Sequence, residues 1–529
     1  MNCLRNLLPV FGCRGVPQNT SSPEMEMEME MVMESSADCD DRSNPYNEAP
    51  MLAACRTGNL VWLQELLKDD SNQVNQLFLS GKTGSPVSLL YIAARYGYLD
   101  VVMYLIDAFS KAVEPRAEEE KLSAIRAFLS APVEDGATAL YIAAQNGHSD
   151  VVKRLTDAFS KAVEPLVEEE KISAIRAFLS APRKDGVTAL YIAAQHGHSD
   201  VVKRLTDAFS KAVEPLVEEE KLSAIRTFLS APVEDGATAL YIAAQNGHSD
   251  VVKRLTDAFS KAVEPRAEEE KLSAIRAFLS APVEDGATAL YIAAQNGHSG
   301  VVKRLTDAFS KAVEPLVEEE KLSAIRAFLS APRKDGVTAL LIAAQNGHLD
   351  VMKHLNGAYS KAVEPLVEEE KLSAITTFLS APRKDGVTAL LIAAQNGYIG
   401  IMEFLDEAYS KAVEPLAKEE KLFAIRAFLS APQKDGITAL YIAARNGNCA
   451  ILKFLLERGI DPEQELVKCS LGKYRVFKWL FVESPLKVAR ESGHSSAQAI
   501  LKRAIQERKT TEMMKEEERL TPETTETAL

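Results

Sequence analysis

Residues Asp135–His148 read DGATALYIAAQNGH, and this stretch recurs through most of the chain. The recurrence is close, because the segments Asp107–Ser149 and Asp257–Ser299 are identical letter for letter. Similarity at a fixed period of this size indicates a stack of repeated units. The leading glycine returns every 50 residues, at Gly136, Gly186, Gly236, Gly286, Gly336, Gly386 and Gly436.

Each period predicts three helices, as the unit around Gly186 illustrates. A turn at Gly186 is followed by Thr188, whose hydroxyl suits the N-cap of a first helix. Gly197 predicts the left-handed end of that helix. Ser199 or Asp200 begins a longer second helix, whose apolar residues fall on one stripe: Val201, Val202, Leu205, Ala208, Phe209 and Ala212.

A third, amphipathic helix is predicted over Leu216–Ser230. The preceding Pro215 stops the second helix, and Pro232 closes the third. Three glutamates, Glu218 to Glu220, suit the positive end of this helix dipole. No single unit can bury its own apolar stripes, so the units must stack.

Bulk composition narrows the function. The 529 residues carry a net charge of −14, which disfavours nucleic acid as a partner because phosphates need a basic face. The six cysteines (Cys3, Cys13, Cys39, Cys55, Cys449 and Cys469) do not recur from unit to unit, so disulfides cannot hold the array together, which suits a reducing compartment. No apolar run reaches the roughly 18 residues of a membrane helix.

The recurring motif Asp-Gly-x-Thr-Ala-Leu-x-x-Ala-Ala-x-x-Gly-His closely resembles the ankyrin repeat, and Asp435–Pro462 is the fullest match. Two units near Met51 and Pro86, seven regular units and a terminal one at Ser484–His494 make ten. The resemblance implies an all-α, ankyrin-like solenoid, and the 50-residue period adds a helix to the family's repeat of about 33 residues. Ala139-Leu140-Tyr141 replaces the family's Pro-Leu-His.

The expected domains follow from these patterns. Residues 1–47 are low in apolar content and are predicted to be disordered. Residues 48–509 form the array, regular from about 86 to 462 and an irregular capping region over 463–509, with a helix expected at Ser495–Lys509. The aromatic run Tyr474–Val482 is expected to cover the last regular unit, as strand or helix. Residues 510–529 are a polar tail.

No enzyme, cofactor or metal site is expected. The repeated histidines each have the same neighbours, which favours a structural role in the turn over catalysis or metal binding. They are His148, His198, His248, His298 and His348. Glutamate triplets such as Glu168 to Glu170 are interpreted as solvated helix N-termini.

The repeat tips are the predicted partner-binding residues, because ankyrin-like arrays usually bind proteins along their tips and first helices. The tips vary between copies, with acidic residues in the earlier units and basic ones later. This charge pattern favours one orientation of an extended acidic partner along the array. The alternative is neutral drift of charge at solvated positions. The residues are Glu134, Glu234, Glu284, Arg183, Lys184, Arg333, Lys334, Arg383, Lys384 and Lys434.

The two chain ends carry weaker signals. Cys3 and Cys13 lie beside apolar and basic residues, which suits lipidation, against an unmodified tail. Glu526–Leu529 resembles a ligand of PDZ domains. The C-terminus also resembles the acidic export signals of type IV secretion effectors from bacteria living inside eukaryotic cells, through Glu516, Glu517, Glu518, Thr527 and Leu529.

The sequence therefore predicts a non-enzymatic, monomeric scaffold that binds another protein, with no nucleic-acid partner. It is expected in a cytoplasm, or in a host cytosol after secretion as an effector. The alternative is an adaptor tethered to a membrane through a lipidated Cys3 or Cys13.

Overall fold

The computed structural model describes residues 48–68, 71–81, 84–463, 466–469 and 480–520. Within these residues the protein is an α-solenoid built from pairs of antiparallel helices. No helix among them is long and apolar enough to cross a membrane. The expected disorder of residues 1–47 and the PDZ-type ending at Glu526–Leu529 lie outside the described residues.

Ten helix pairs stack in order along the described part of the chain. The first helices are Pro50–Thr57, Leu89–Tyr96, Ala139–Gln145, Ala189–Gln195, Ala239–Gln245, Ala289–Gln295, Ala339–Asn346, Ala389–Asn396, Ala439–Asn446 and Pro485–Glu491. The second helices are Leu60–Leu67, Leu99–Ala112, Ser149–Val163, Ser199–Ala212, Ser249–Val263, Ser299–Val313, Leu349–Val363, Ile399–Ala412, Cys449–Glu457 and Ser495–Leu520.

The first helices form the centre of the stack, since each packs against the first helices of both neighbouring units. They are apolar on almost every side. In the unit that begins at Gly186, Leu190, Ala193 and Ala194 are buried and Thr188 caps the helix by accepting a hydrogen bond from the Tyr191 amide at 3.2 Å. The alanines let neighbouring helices approach closely, and the cap satisfies an otherwise free N-terminal amide.

Seven third helices follow the second to eighth units: Glu118–Ser130, Glu168–Leu179, Glu218–Leu229, Glu268–Leu279, Glu318–Leu329, Glu368–Leu379 and Lys418–Leu429. Each lies against the second helix of its own unit and, except for the last, closely against the second helix of the next unit. The prediction at Leu216–Ser230 is therefore confirmed with slightly narrower bounds.

A stacked aromatic pair fixes every third helix to its own second helix. The ring centroids are 4.1 to 4.3 Å apart, and the rings are within 18° of parallel. Buried aromatic pairs stabilise a fold beyond the area that they remove from water. The pairs are Phe109–Phe128, Phe159–Phe178, Phe209–Phe228, Phe259–Phe278, Phe309–Phe328, Tyr359–Phe378 and Tyr409–Phe428.

The two ends of the array are irregular. A 3-10 helix at Ser71–Asn75 precedes strand β1 (Leu77–Leu79), which pairs antiparallel with β2 (Pro86–Ser88). Strands β3 (Leu466–Cys469) and β4 (Leu480–Glu483) also pair antiparallel. The end of the aromatic run is therefore a strand, while residues 470–479 lie outside the described part.

The last helix is longer than the sequence indicated. It was expected to end near Lys509, but it continues to Leu520, into the segment interpreted as a polar tail. The added residues are mostly Glu, Lys, Arg and Met, which are good helix formers. The segment is polar in sequence, and its backbone is helical as far as Leu520.

Candidate partner-binding surface

The predicted tip residues lie in turns that connect one unit to the next. Each turn closes on itself, as the Gly186 amide donates to the Arg183 carbonyl at 2.9 Å and the Arg183 amide to Val187 at 2.9 Å. Gly186 has a φ of +82°, which an L side chain would adopt only with strain. The turns therefore hold the tip side chains on a defined backbone.

Successive tips are also bonded to one another. The Lys184 amide donates to the Asp135 carbonyl at 3.0 Å, and the Lys334 amide donates to Asp285 at 3.1 Å. The Lys434 ammonium donates to the Lys384 carbonyl at 2.6 Å. Bonds of this kind join the tips at Gly136 and Gly186, and the five tips from Gly236 to Gly436.

The tip arginines are engaged within the protein. The Arg183 Nε lies 3.1 Å from Asp185 Oδ1, and Arg383 Nε lies 3.0 Å from Asp385 Oδ1. Arg333 binds Asp335 in the same way, at 3.2 Å, and reaches the preceding tip, where its Nη1 is 3.6 Å from Asp285. Hydrogen bonding to the guanidinium lowers the pKa of the paired aspartates Asp185, Asp335 and Asp385.

Two of these arginines also lie over tyrosine rings of the first helices. The Arg183 guanidinium is 5.5 Å from the centroid of Tyr141, and that of Arg333 is 5.3 Å from Tyr291. Such cation–π contacts favour the observed arginine positions. Burial raises the pKa of both tyrosine hydroxyls. The sequence indicated the positive charge of these tips but not its use in bracing them.

Exposed charge at the tips comes from the neighbouring positions. Glu134, Glu234 and Glu284 are exposed in the earlier tips, and Lys184 interrupts them. Lys334, Lys384 and Lys434 are exposed in three successive later tips. The earlier tips therefore expose mostly carboxylates, and the later tips expose ammonium groups.

The repeated histidines brace neighbouring units. His148 Nε2 lies 3.0 Å from the Arg95 carbonyl in the preceding unit, and His198 Nε2 lies 2.9 Å from that of Gln145. Burial lowers the pKa of both imidazoles. His248, His298 and His348 make the corresponding contacts to Gln195, Gln245 and Gln295. The structural interpretation of these histidines is confirmed.

Asparagines add a second donor at the same joints. Asn146 Nδ2 donates to the Arg95 carbonyl at 2.7 Å, so one carbonyl accepts from both Asn146 and His148. The sequence motif predicted a role for the histidines but not for the asparagines, although Asn-Gly-His occurs in four of the seven regular units.

The described residues contain no group of three or more His, Cys, Asp or Glu side chains arranged to hold a metal ion. Glu168 to Glu170 occupy the first turn of a third helix and are exposed, and Lys171 lies 3.5 Å from Glu168. Cys3, Cys13, Thr527 and Leu529 lie outside the described residues. Glu516, Glu517 and Glu518 belong to the last helix.

A family model described as ankyrin repeats in three copies matches six overlapping stretches that together run from residue 51 to 466: residues 51–165, 112–214, 161–269, 207–315, 261–365 and 356–466. The chain belongs to the ankyrin-repeat family. Ankyrin-repeat proteins are generally non-enzymatic binding scaffolds, so the family indicates protein–protein interaction. No curated protein matches the chain.

Among solved structures, this ankyrin-repeat chain is similar to the ankyrin repeat domain of Bcl-3, described as a unique member of the IkappaB protein family. The identity is 20%, the TM-score is 0.37, and the match covers 60% of this chain and 99% of that one.

Proposed function

We propose that the chain is a scaffold that binds an acidic segment of another protein along its later repeat tips. The observation that carries the proposal is the row of exposed lysines Lys334, Lys384 and Lys434, held on turns that are bonded to one another. A rigid row costs little conformational entropy on binding.

Charge at the earlier tips supports an orientation for this partner. Glu134, Glu234 and Glu284 repel an acidic segment, whereas the later lysines attract it. Complementary potentials of this kind act chiefly on the rate and direction of encounter. The partner is therefore expected to contact the C-terminal half of the array first.

The test changes lysines and leaves the arginines in place, since reversing Arg333 or Arg383 would break their bonds to Asp335 and Asp385. The ammonium groups of Lys384 and Lys434 also donate to carbonyls of the preceding tips, so the unfolding midpoint of the lysine variant is measured as well. The full chain and its K334E/K384E/K434E variant are used to capture proteins from an extract, and the retained proteins are identified. Association rates of each specific partner are then measured at two salt concentrations.

We expect the variant to lose acidic partners or to bind them about tenfold more slowly at low salt, with a smaller difference at high salt. The charge-preserving K334R/K384R/K434R variant is the control and should bind like the wild type. Equal rates for wild type and the glutamate variant at low salt would refute a role for these tips.

A finer proposal is that this scaffold acts in a host cytosol after export. It is supported by the acidic and threonine-rich C-terminus, from Glu516 to Leu529. A translocation reporter fused to the full chain should give a signal that disappears when residues 510–529 are deleted. A signal that survives the deletion would place the export information elsewhere in the chain. The absence of any signal from the full chain would exclude export.

The alternative of a membrane-tethered adaptor rests on Cys3 and Cys13 in the sequence. Fractionation of wild type and a C3S/C13S variant separates the two functions. A wild-type chain found only in the soluble fraction would remove the tether.

A further inference from the structure

The last third helix, Lys418–Leu429, ends a row of such helices. Earlier in the row, a groove between consecutive third helices is lined by Leu222 and Arg226 of one helix and by Glu269, Glu270, Ser273 and Ala274 of the next. Leu422 and Arg426 are the equivalents of Leu222 and Arg226, exactly four periods later along the sequence. No further third helix follows them among the described residues.

The surface of the last third helix is apolar and exposed. Leu422 is 45% exposed, whereas Leu222, Leu272, Leu322 and Leu372 are only partly exposed in their own grooves. Phe423 is 76% exposed, but it is the equivalent of Ser273, which lines the groove toward the preceding third helix. In the other six third helices the corresponding residue is serine: Ser123, Ser173, Ser223, Ser273, Ser323 and Ser373.

A groove of about 960 Å³ lies beside this helix. It exists because the neighbouring second helix, Cys449–Glu457, has nine residues where the interior second helices have 14 or 15. The last helix of the chain forms the opposite wall. Apolar lining comes from Leu456, Ile460, Pro462, Ile500 and Ala504.

The charged residues of the groove favour an acidic occupant. Arg503 Nε lies 2.7 Å from Glu507, and Arg508 is paired with Asp461, so these charges are already compensated. Arg426 and Lys453 are the remaining cations of the lining, against one remaining carboxylate, Glu457, and Arg426 Nε also donates to the Arg458 carbonyl at 3.4 Å. In the interior groove, Arg226 shares the space with Glu269 and Glu270, and Arg266 Nη1 is 3.0 Å from Glu270.

The size of the opening favours one helix over a second copy of the array. The ninth and tenth helix pairs continue the stack beyond Lys418–Leu429, so another array cannot continue the row of third helices without overlapping them. A single helix needs a width of only about 10 Å. Recognition of an amphipathic helix in an apolar groove is a common binding mode.

We infer that this groove, between the last third helix and the C-terminal helix, binds one amphipathic helix of a partner protein. The occupant carries glutamates in its first turn, which approach Arg426, and small apolar residues further along, which pack on Leu422. It thus repeats the chemistry that Glu269, Glu270 and Ala274 present to the preceding helix. This surface uses different residues from the lysine row at the tips.

The test uses the chain's own third helix as the probe. A capped, fluorescein-labelled peptide with the sequence of residues 266–281 is titrated with the full-length protein, and binding is followed by fluorescence anisotropy. The variants are L422S, which removes the exposed apolar side chain on the groove side of the helix, and R426E. R226E is the matched control, because its groove is already filled by the next third helix.

We expect saturable binding to the wild type, about tenfold weaker binding to L422S, a further loss with R426E, and no change with R226E. The K334E/K384E/K434E variant should bind the peptide normally, which separates this site from the proposed function. Since Leu422 is 45% exposed, L422S should fold like the wild type, and its unfolding midpoint checks this.

Three results would overturn the inference. The first is no saturable binding to the wild type, and the second is equal affinity for wild type and L422S. The third is concentration-dependent dimerisation, measured by light scattering, that L422S abolishes, because the occupant would then be a second copy of the chain.

Discussion

At the scale of single residues, the joints between units depend on close contact between a glycine and a histidine. Gly197 has a φ of +78°, and a Cβ placed on it would lie 2.6 Å from Nδ1 of His248 in the next unit. The glycine therefore serves both the helix end and the neighbouring imidazole. Its repetition in the sequence predicted the first role, while the second depends on the stacking of units.

Replacing Gly197 with alanine is expected to destabilise the protein by about 2 kcal/mol, because the side chain is strained at this φ and displaces His248. Gly357 is the control. It lies within a second helix and nothing would meet its Cβ within 4 Å, so Gly357→Ala should stabilise by up to about 1 kcal/mol. Urea unfolding of both variants measures the difference, and equal midpoints would contradict the proposed contact.

At the scale of elements, the third helices are held by the aromatic pairs. Phe278 is buried and its ring centroid lies 4.3 Å from that of Phe259. Phe278→Ala should cost about 3 kcal/mol in the free energy of unfolding, through lost burial and the cavity left behind. Hydrogen exchange should accelerate first in Glu268–Leu279.

Phe423→Ser provides the comparison for this variant, since it removes an exposed phenylalanine from another third helix. Its exchange rates and midpoint should match those of the wild type. If Phe278→Ala also left exchange in Glu268–Leu279 unchanged, the aromatic pair would not be what fixes the third helix.

Much of each element could be predicted from the sequence. Thr188 and Gly197 marked the ends of a first helix, and the glutamates at 218–220 marked the start of a third. These signals are local. The contact of Arg183 with Tyr141 could not be predicted, because it requires the tip to lie against the preceding unit. The groove beside Arg426 likewise arises from a short helix in a different unit.

At the scale of the whole molecule, the histidine contacts make stability depend on pH. Burial lowers the pKa of His148 and His198, so the folded protein favours their neutral forms. The unfolded chain takes up these protons near pH 6.5. Stability is therefore retained above about pH 6.5 and lost as the pH falls below it, through the lowered folded-state values.

Unfolding midpoints between pH 8 and pH 5 test this expectation. An H148N/H198N variant should show a shallower loss on acidification, since asparagine carries no titrating group. The substitution has a precedent in the chain: Asn448, at the equivalent position, donates from Nδ2 to the Ala394 carbonyl at 2.7 Å. An unchanged slope would exclude these two imidazoles as the cause.

Deletion of one whole period is expected to be tolerated. Removing residues 187–236 joins Gly186 to Ala237 and restores the motif of a regular unit. The shortened protein should keep its helical content per residue, with a smaller denaturant dependence of unfolding. The control removes only residues 187–211, which leaves a third helix without its second helix. That variant should lose cooperative unfolding. If the two deletions behaved alike, the stacked arrangement would be contradicted.

The sameness of the inner joints also bears on how the chain assembles. Because Asp107–Ser149 and Asp257–Ser299 are identical, neither has an intrinsic advantage as the place where folding begins. Several nuclei then form with similar probability and grow toward each other. Unfolding then starts at the terminal helix pairs, which differ in sequence from the inner ones. The lifetime of the folded state therefore depends on the stability of these two ends.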